Sequence, residues 1–247
     1  MVLFIKNLIS PNSITSTYDC AKGNRLLTTI FVLISVGGFG QQITSSTWDE
    51  EAKTNKRLLP KYGLLPKSDG EIAADKDFIK ETMKQPQFNG DYRAASDHMI
   101  KLGFNYLNRR DIKTAMYRFN QAYLLDTTNT DIYWGYGAVY MTLGNYQEGK
   151  KQYIEGLSRN PDNTHLLTDY GTYFMSQYHG LKQAGHEKDA STNLDTAITY
   201  LNRSFIKDKE DQNTTYKLSI CYWMKGNCEK AWDFYDKCKE LGGQPIT

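Results

Sequence analysis

The chain has 247 residues, 40% of them hydrophobic and 13% aromatic, which is enough apolar material for a domain with a real core. Its formal net charge is +2. That balance leaves no electrostatic footprint for nucleic acid or an anionic membrane, so those partner classes drop out first.

In chain order, the first feature is an apolar run over residues 26–39, preceded by Lys22 and Arg25 and ending in Gly37, Gly38, Phe39 and Gly40. A basic flank, a short apolar stretch and small residues at its end look like a secretory signal peptide over residues 1–40, cut after Gly40. The run is shorter than the roughly 20 residues that a spanning helix needs, so an uncleaved membrane anchor ranks second. No cysteine stands at the junction, which disfavours a lipid-anchored form. Loss of Lys6, Lys22 and Arg25 against Asp19 takes the 30 basic and 28 acidic residues to 27 of each. The exported chain, periplasmic or secreted, would then carry no net charge.

Residues 41–90 differ in kind. Residues 41–56 are polar and read as disordered. The sequence Leu-Leu-Pro-Lys then occurs twice, at 58–61 and 64–67, and the residue before each proline favours an extended arm. Ser68 and Glu71 have the spacing of a capping box, and Ile72, Phe78, Ile79 and Met83 would form the buried side of one short helix that caps the remainder of the chain.

From residue 91 to 247 one pattern repeats. Leu102, Gly103, Tyr106, Ala115, Phe119 and Ala122 return 34 residues later as Tyr136, Gly137, Tyr140, Gly149, Tyr153 and Gly156, with Pro161 closing the second copy. Apolar residues at spacings of three and four mark helices, and the short polar or glycine-bearing stretch between the two halves makes an antiparallel pair. Glycine inside a helix costs about 1 kcal/mol against alanine, so glycine recurring at one phase argues for close packing of backbones. Gly171 and Phe174 extend the register to a third copy, whose second helix (Ala197, Leu201, Ser204) arrives 14 residues late across a polar stretch around residues 180–193, which reads as a lengthened turn, with or without extra helical turns. Leu218, Ser219, Tyr222, Gly226, Ala231, Tyr235 and Cys238 give a fourth copy, with serine and cysteine in the small-residue positions.

Helix-turn-helix copies of this length, with small residues at the crossings and a closing proline, resemble tetratricopeptide repeats. The resemblance implies an all-α fold: a right-handed superhelical stack of four repeats (96–129, 130–163, 164–211 and 212–245) with an N-terminal arm and capping helix. It is specific for fold and weak for function.

Chemistry is scarce. His98, His165, His179 and His186 form no helix-spaced pair with each other or with cysteine, so neither a metal nor another cofactor is expected. Nucleophile motifs, phosphate-binding loops and dinucleotide fingerprints are absent, and the chain reads as a non-enzyme. Of Cys221, Cys228 and Cys238, the last falls in the packing column and reads as a buried thiol. A Cys221–Cys228 disulfide is the lesser reading.

The informative stripe is the other face of each first helix: Ile100, Phe104 and Leu107, then Trp134, Ala138 and Met141, then Thr168, Thr172 and Met175, then Tyr216, Ile220 and Trp223. In the family this face lines the concave groove, and so much apolar surface usually marks an interaction site. Its occupant is a partner's apolar or amphipathic peptide segment or the chain's own arm. Repeats that clamp a terminal carboxylate carry lysine, arginine and asparagine here, and this chain does not. Two further readings stay open: a small-molecule or enzymatic pocket in the aromatic groove, and self-association through it.

Overall fold

A computed structural model describes residues 20–22, 25–26 and 44–243. The fold is helical, as the resemblance implies, and the chain divides into two compact units, one over residues 40–161 and one built from residues 1–39 and 162–247.

In the first unit, α1 (Ser45–Ala52) leads through two 3-10 turns, Lys56–Leu58 and Pro60–Leu64, to α2 (Asp69–Met83) and then to two hairpins. These are α3 (Tyr92–Asn108) with α4 (Ile112–Leu125), and α5 (Asp131–Thr142) with α6 (Tyr146–Arg159). The second unit holds α7 (Thr164–Gln183) with α8 (Glu187–Lys207) and α9 (Gln212–Met224) with α10 (Cys228–Glu240). It also holds a short antiparallel pair, β1 (Ala21–Lys22) with β2 (Arg25–Leu26).

Each hairpin turns the same way. One residue enters the left-handed region and the next opens the second helix. The left-handed residues are Arg110, Gly144, Gly185 and Gly226. Asp111, Asn145 and Asn227 follow three of them, each accepting from a backbone N–H of the new helix, which satisfies one of its orphan donors. His186 holds the same place in the third hairpin without a side-chain cap.

The glycines make room for rings. A Cβ on Gly103 would stand 2.4 Å from Phe119, one on Gly135 2.3 Å from the same ring, and one on Gly137 2.1 Å from Tyr153. Phe119 therefore lies between the first helices of two successive hairpins and is completely buried. Gly171 meets Leu201 in the same manner, at 2.8 Å.

Several expectations need correction. Residues 45–52, expected to be disordered, form α1. Thr44 and Thr47 close a capping box, and Trp48 is only 1% exposed. One buried indole outweighs a polar composition, because an aromatic side chain removes so much apolar area from water. The Ser68–Glu71 box forms as expected, yet Ile72 is exposed and Phe78, Ile79 and Met83 are only half-buried, while Thr82 and Phe88 are buried. The 14 extra residues of the third copy lengthen α7 and α8 themselves, leaving a turn of residues 184–186. The run over residues 26–39 lies outside the described residues beyond Leu26, as does the cut after Gly40. No helix among the described residues is long and apolar enough to cross a membrane.

Cysteine also differs from expectation. Cys228 bonds to Cys20, 208 positions away, and Trp232 Nε1 donates to the Cys20 carbonyl at 3.3 Å. Cys221 and Cys238 are free and buried, and burial pushes both thiols up. Denatured, unreduced protein should therefore show two reactive thiols and reduced protein four. Three before reduction would mean that Cys20 had left with a leader.

Candidate functional site

Two surfaces of the first unit bring side chains together. Along α5, Trp134, Ala138 and Met141 fall on one face at spacings of four and three, while Tyr133, Tyr136 and Tyr140 fall on another.

The first face holds part of the predicted stripe. Ile100, Leu107 and Met141 are buried, and Met141 packs over Gly149, where a Cβ would stand 2.7 Å from its methyl carbon. Phe104 and Trp134 are half-buried and lie against each other, ring centroids 3.9 Å apart, with Phe104 edge-on to Phe119. The stripe is thus core along its margin, with a two-ring aromatic step at its centre. In the second unit Met175 is buried in the core of α7 to α10, and Ile220 and Trp223 pack on its edge. Tyr216 is half-buried.

The second face takes the arm, through residues that the sequence pattern did not single out. Asn120 Nδ2 donates to the carbonyls of Arg57 and Leu59, at 2.8 and 3.0 Å, and Asn120 Oδ1 accepts from the Lys61 N–H at 2.9 Å. The Tyr136 hydroxyl donates to that same Oδ1 at 2.7 Å and accepts from Lys61 N–H at 3.0 Å. One buried amide therefore reads three backbone groups of the arm. Around this centre Leu58 is fully buried, Asn55 donates to the Tyr117 hydroxyl, the Arg57 guanidinium lies 4.0 Å from the Tyr117 ring, and Lys61 pairs with Glu155 at 2.7 Å. α1 is held by the same wall. Lys113 pairs with Glu51, and the Trp48 indole lies near the Tyr140 hydroxyl without closing a hydrogen bond of normal geometry. Asn120 was legible in principle, as one amide beside Met116 and Phe119 in a helix phase otherwise filled by apolar side chains.

The arm is coiled, not extended. Leu59 and Leu65, each before a proline, do have extended backbone, but Lys61, Tyr62, Gly63 and Leu64 between them are all left-handed. Three of those four carry side chains. Such backbone persists only where surrounding contacts over-determine it, at about 1–3 kcal/mol for each residue.

Two carboxylates tie the arm's charge to pH. Burial raises the Glu155 pKa, but the Lys61 hydrogen bond and charge, the Tyr133 hydroxyl and Arg159 outweigh it and hold the group below its ordinary value. The Lys56 hydrogen bond, helped by the Ser68 N–H, takes Glu71 from 4.5 to about 2. Depressed folded values mean stabilisation that is present above the unfolded pKa and lost as pH falls through the folded one. Protection of the Lys61 amide from hydrogen exchange, corrected for intrinsic rate, should hold at neutral pH and fall between pH 4.5 and about 2, the interval over which Glu71 titrates. Unchanged protection across that interval would show that the ion pairs do not hold the arm.

The second unit is polar where its small-residue column carries hydroxyls. Thr168 Oγ1 meets Ser204 Oγ at 2.8 Å and Thr214 Oγ1 at 2.5 Å, Thr214 donates to Asp211, and buried Lys217 lies 3.5 Å from Asp169. These groups satisfy one another inside the helix pairs. Two histidines serve packing, His98 edge-on to Phe88 and His179 edge-on to Tyr178. Among the described residues no three His, Cys, Asp or Glu side chains gather as a metal site.

No family model matches the chain, and no curated protein matches it. Among solved structures it is similar to MamA, with a TM-score of 0.42 and 16% identity over 72% of this chain and 96% of that one. It is also similar to PilF of Pseudomonas aeruginosa, with a TM-score of 0.34 and 18% identity over 62% of this chain and 79% of that one. PilW, described as a widely conserved type IV pilus biogenesis factor, gives a TM-score of 0.30 and 16% identity over 60% of this chain and 77% of its own.

Proposed function

We propose that this chain is a non-enzymatic protein-interaction scaffold that holds an apolar or amphipathic segment of a protein partner on the stripe face of its first helices. What carries the reading is the Phe104–Trp134 step, two large rings in contact and only half-buried. Aromatic anchors of this kind bury much area for few lost rotamers, and truncating a true anchor costs roughly 2 kcal/mol or more of binding. The repeats act outside the cytoplasm. The Cys20–Cys228 bond supports an oxidising compartment.

The test is affinity capture from envelope extract with the wild-type chain and with Trp134→Ala. The expected result is one protein retained by the wild type and lost by at least tenfold with the variant, while the variant keeps its helical circular dichroism. A variant that unfolds would make Trp134 core, and a partner retained equally by both chains would place its site elsewhere.

A further inference from the structure

The repeat register carries the arm's binding site into the second unit. Two repeats of 34 residues and the 14 inserted ones bring Asn202 of α8 to the place of Asn120 in α4, Tyr222 of α9 to that of Tyr140 in α5, and Lys237 of α10 to that of Glu155 in α6. The three helices meet on rings. Phe205 lies edge-on to Phe234 with centroids 5.2 Å apart, and Phe234 stacks on Tyr222 at 5.5 Å. The corresponding positions are more open here than they are under the arm. Asn120 is fully buried and Leu124 half-buried, whereas Asn202 is half-buried and Ile206, one turn further along α8, is 67% exposed. Charge differs too. Glu155 pairs with Lys61, but half-buried Lys237 makes no ion pair among the described residues, and its Nζ lies 5.7 Å from the centre of the Phe205 ring.

We propose that α8, α9 and α10 form a second docking groove, which takes a segment of a protein partner that carries an apolar residue three positions before an aspartate or glutamate. The arm supplies the template. It gives the first site Leu58 as a buried apolar anchor, the carbonyls on either side of it for the Asn120 amide, and Lys61, three residues on, for Glu155. In the second groove Asn202 offers the same amide. Its nitrogen carries two hydrogens, and one goes to the Tyr222 hydroxyl at 3.2 Å, so the other serves a peptide carbonyl. Phe205 and Ile206 offer apolar area to the anchor, and Lys237 requires the charge at the end of the segment to be reversed. A cation partly withdrawn from water gains more from a carboxylate than an exposed one does. The reversal also excludes the chain's own arm, because Lys61 would face Lys237, and repulsion of this kind discriminates between segments of similar shape. No residue is shared with the stripe, so this surface is additional to the one proposed above.

Two labelled peptides test it, one with the sequence of residues 53–64 and one with that sequence carrying Lys61→Glu, each titrated against the full-length chain by fluorescence anisotropy. The Lys61→Glu peptide should bind at least tenfold more tightly than the unsubstituted one. The first site cannot produce that order, since it is filled by the chain's own arm and presents Glu155. In the protein, Lys237→Glu should reverse the preference, and Asn202→Ala should weaken the favoured peptide at least tenfold while the helical circular dichroism is kept. Lys237→Gln, which removes the charge without adding another, should erase the preference and decides the matter if Lys237→Glu does not fold. Equal affinities for the two peptides, a preference that Lys237→Gln leaves intact, or no binding of either peptide up to roughly 1 mM would overturn the proposal.

Discussion

Replacing Gly137 with leucine should lower the stability of the first unit by about 1–3 kcal/mol, the range for overpacking a filled core, even though leucine is the better helix former by nearly 1 kcal/mol. The added Cβ would stand 2.1 Å from Cε1 of Tyr153, a ring 2% exposed, and the carbonyl of Gly137 already lies 3.2 Å from where a Cβ on Gly149 would be. Neither ring nor backbone has space to yield. Gly70 supplies the control. It too is helical, near the start of α2, but no atom lies within 4 Å of its missing Cβ. Gly70→Ala should therefore stabilise, by up to about 1 kcal/mol, through the propensity term alone. Thermal melts of the two variants should move in opposite directions. Movement in the same direction would mean that propensity, not contact, sets the glycine column.

What the sequence discloses depends on the range of each interaction. The hairpins are legible because the spacing of Gly103, Phe119 and Ala122, and its return at Gly137, Tyr153 and Gly156, is written within single repeats. The capping box of α2 is more local still, and the structure has it. Gly135 shows where this kind of reading stops. It clears space for Phe119, a ring in the preceding hairpin, so its reason lies outside its own copy. α1 was hidden by a composition polar apart from Trp48 and Ala52, whose burial depends on a wall formed more than sixty residues later. Cys20 was hidden for a different reason. Reading residues 1–40 as a leader removes it from the count before its pairing can be asked about. The coil of residues 61–64 could not be read either, since proline fixes the residues before it and says nothing of a left-handed run after it.

The stripe illustrates a limit of periodicity as well. Spacing of four and three correctly groups Trp134, Ala138 and Met141 on one face of α5, yet it assigns no depth. Met141 is buried against its own hairpin while Trp134 remains half-buried. Depth comes from the partner helix, here from Gly149, whose lack of a side chain admits the methionine.

Asn120→Ala should release the arm, and with it α1. In the wild type this one fully buried amide accepts from Lys61 N–H and from the Tyr136 hydroxyl and donates to two carbonyls. Truncation leaves Tyr136 holding Lys61 alone, and the Arg57 and Leu59 carbonyls face an apolar gap. A stranded buried polar group costs about 1–3 kcal/mol, so the chain escapes that penalty by undocking, which hydrates the carbonyls but exposes Leu58 and Trp48. The left-handed backbone at Lys61, Tyr62 and Leu64 adds to the drive, since nothing then holds it. The net loss should be roughly 2–6 kcal/mol of docking free energy, the sum for the two stranded carbonyls at about 1–3 kcal/mol each. Trypsin reports it directly. In the wild type Arg57 and Lys61 are protected by their ring and carboxylate contacts, and in Asn120→Ala both should be cut at native temperature, while the hairpins from α3 onward resist. Asn120→Asp sharpens the attribution. It keeps an acceptor for Tyr136 and removes only the two donors, so cleavage in that variant at the Asn120→Ala rate would assign the arm's retention to the Arg57 and Leu59 carbonyls. Cleavage at the wild-type rate in both variants would show that Leu58, Trp48 and the ion pairs hold the arm without any reading of its backbone.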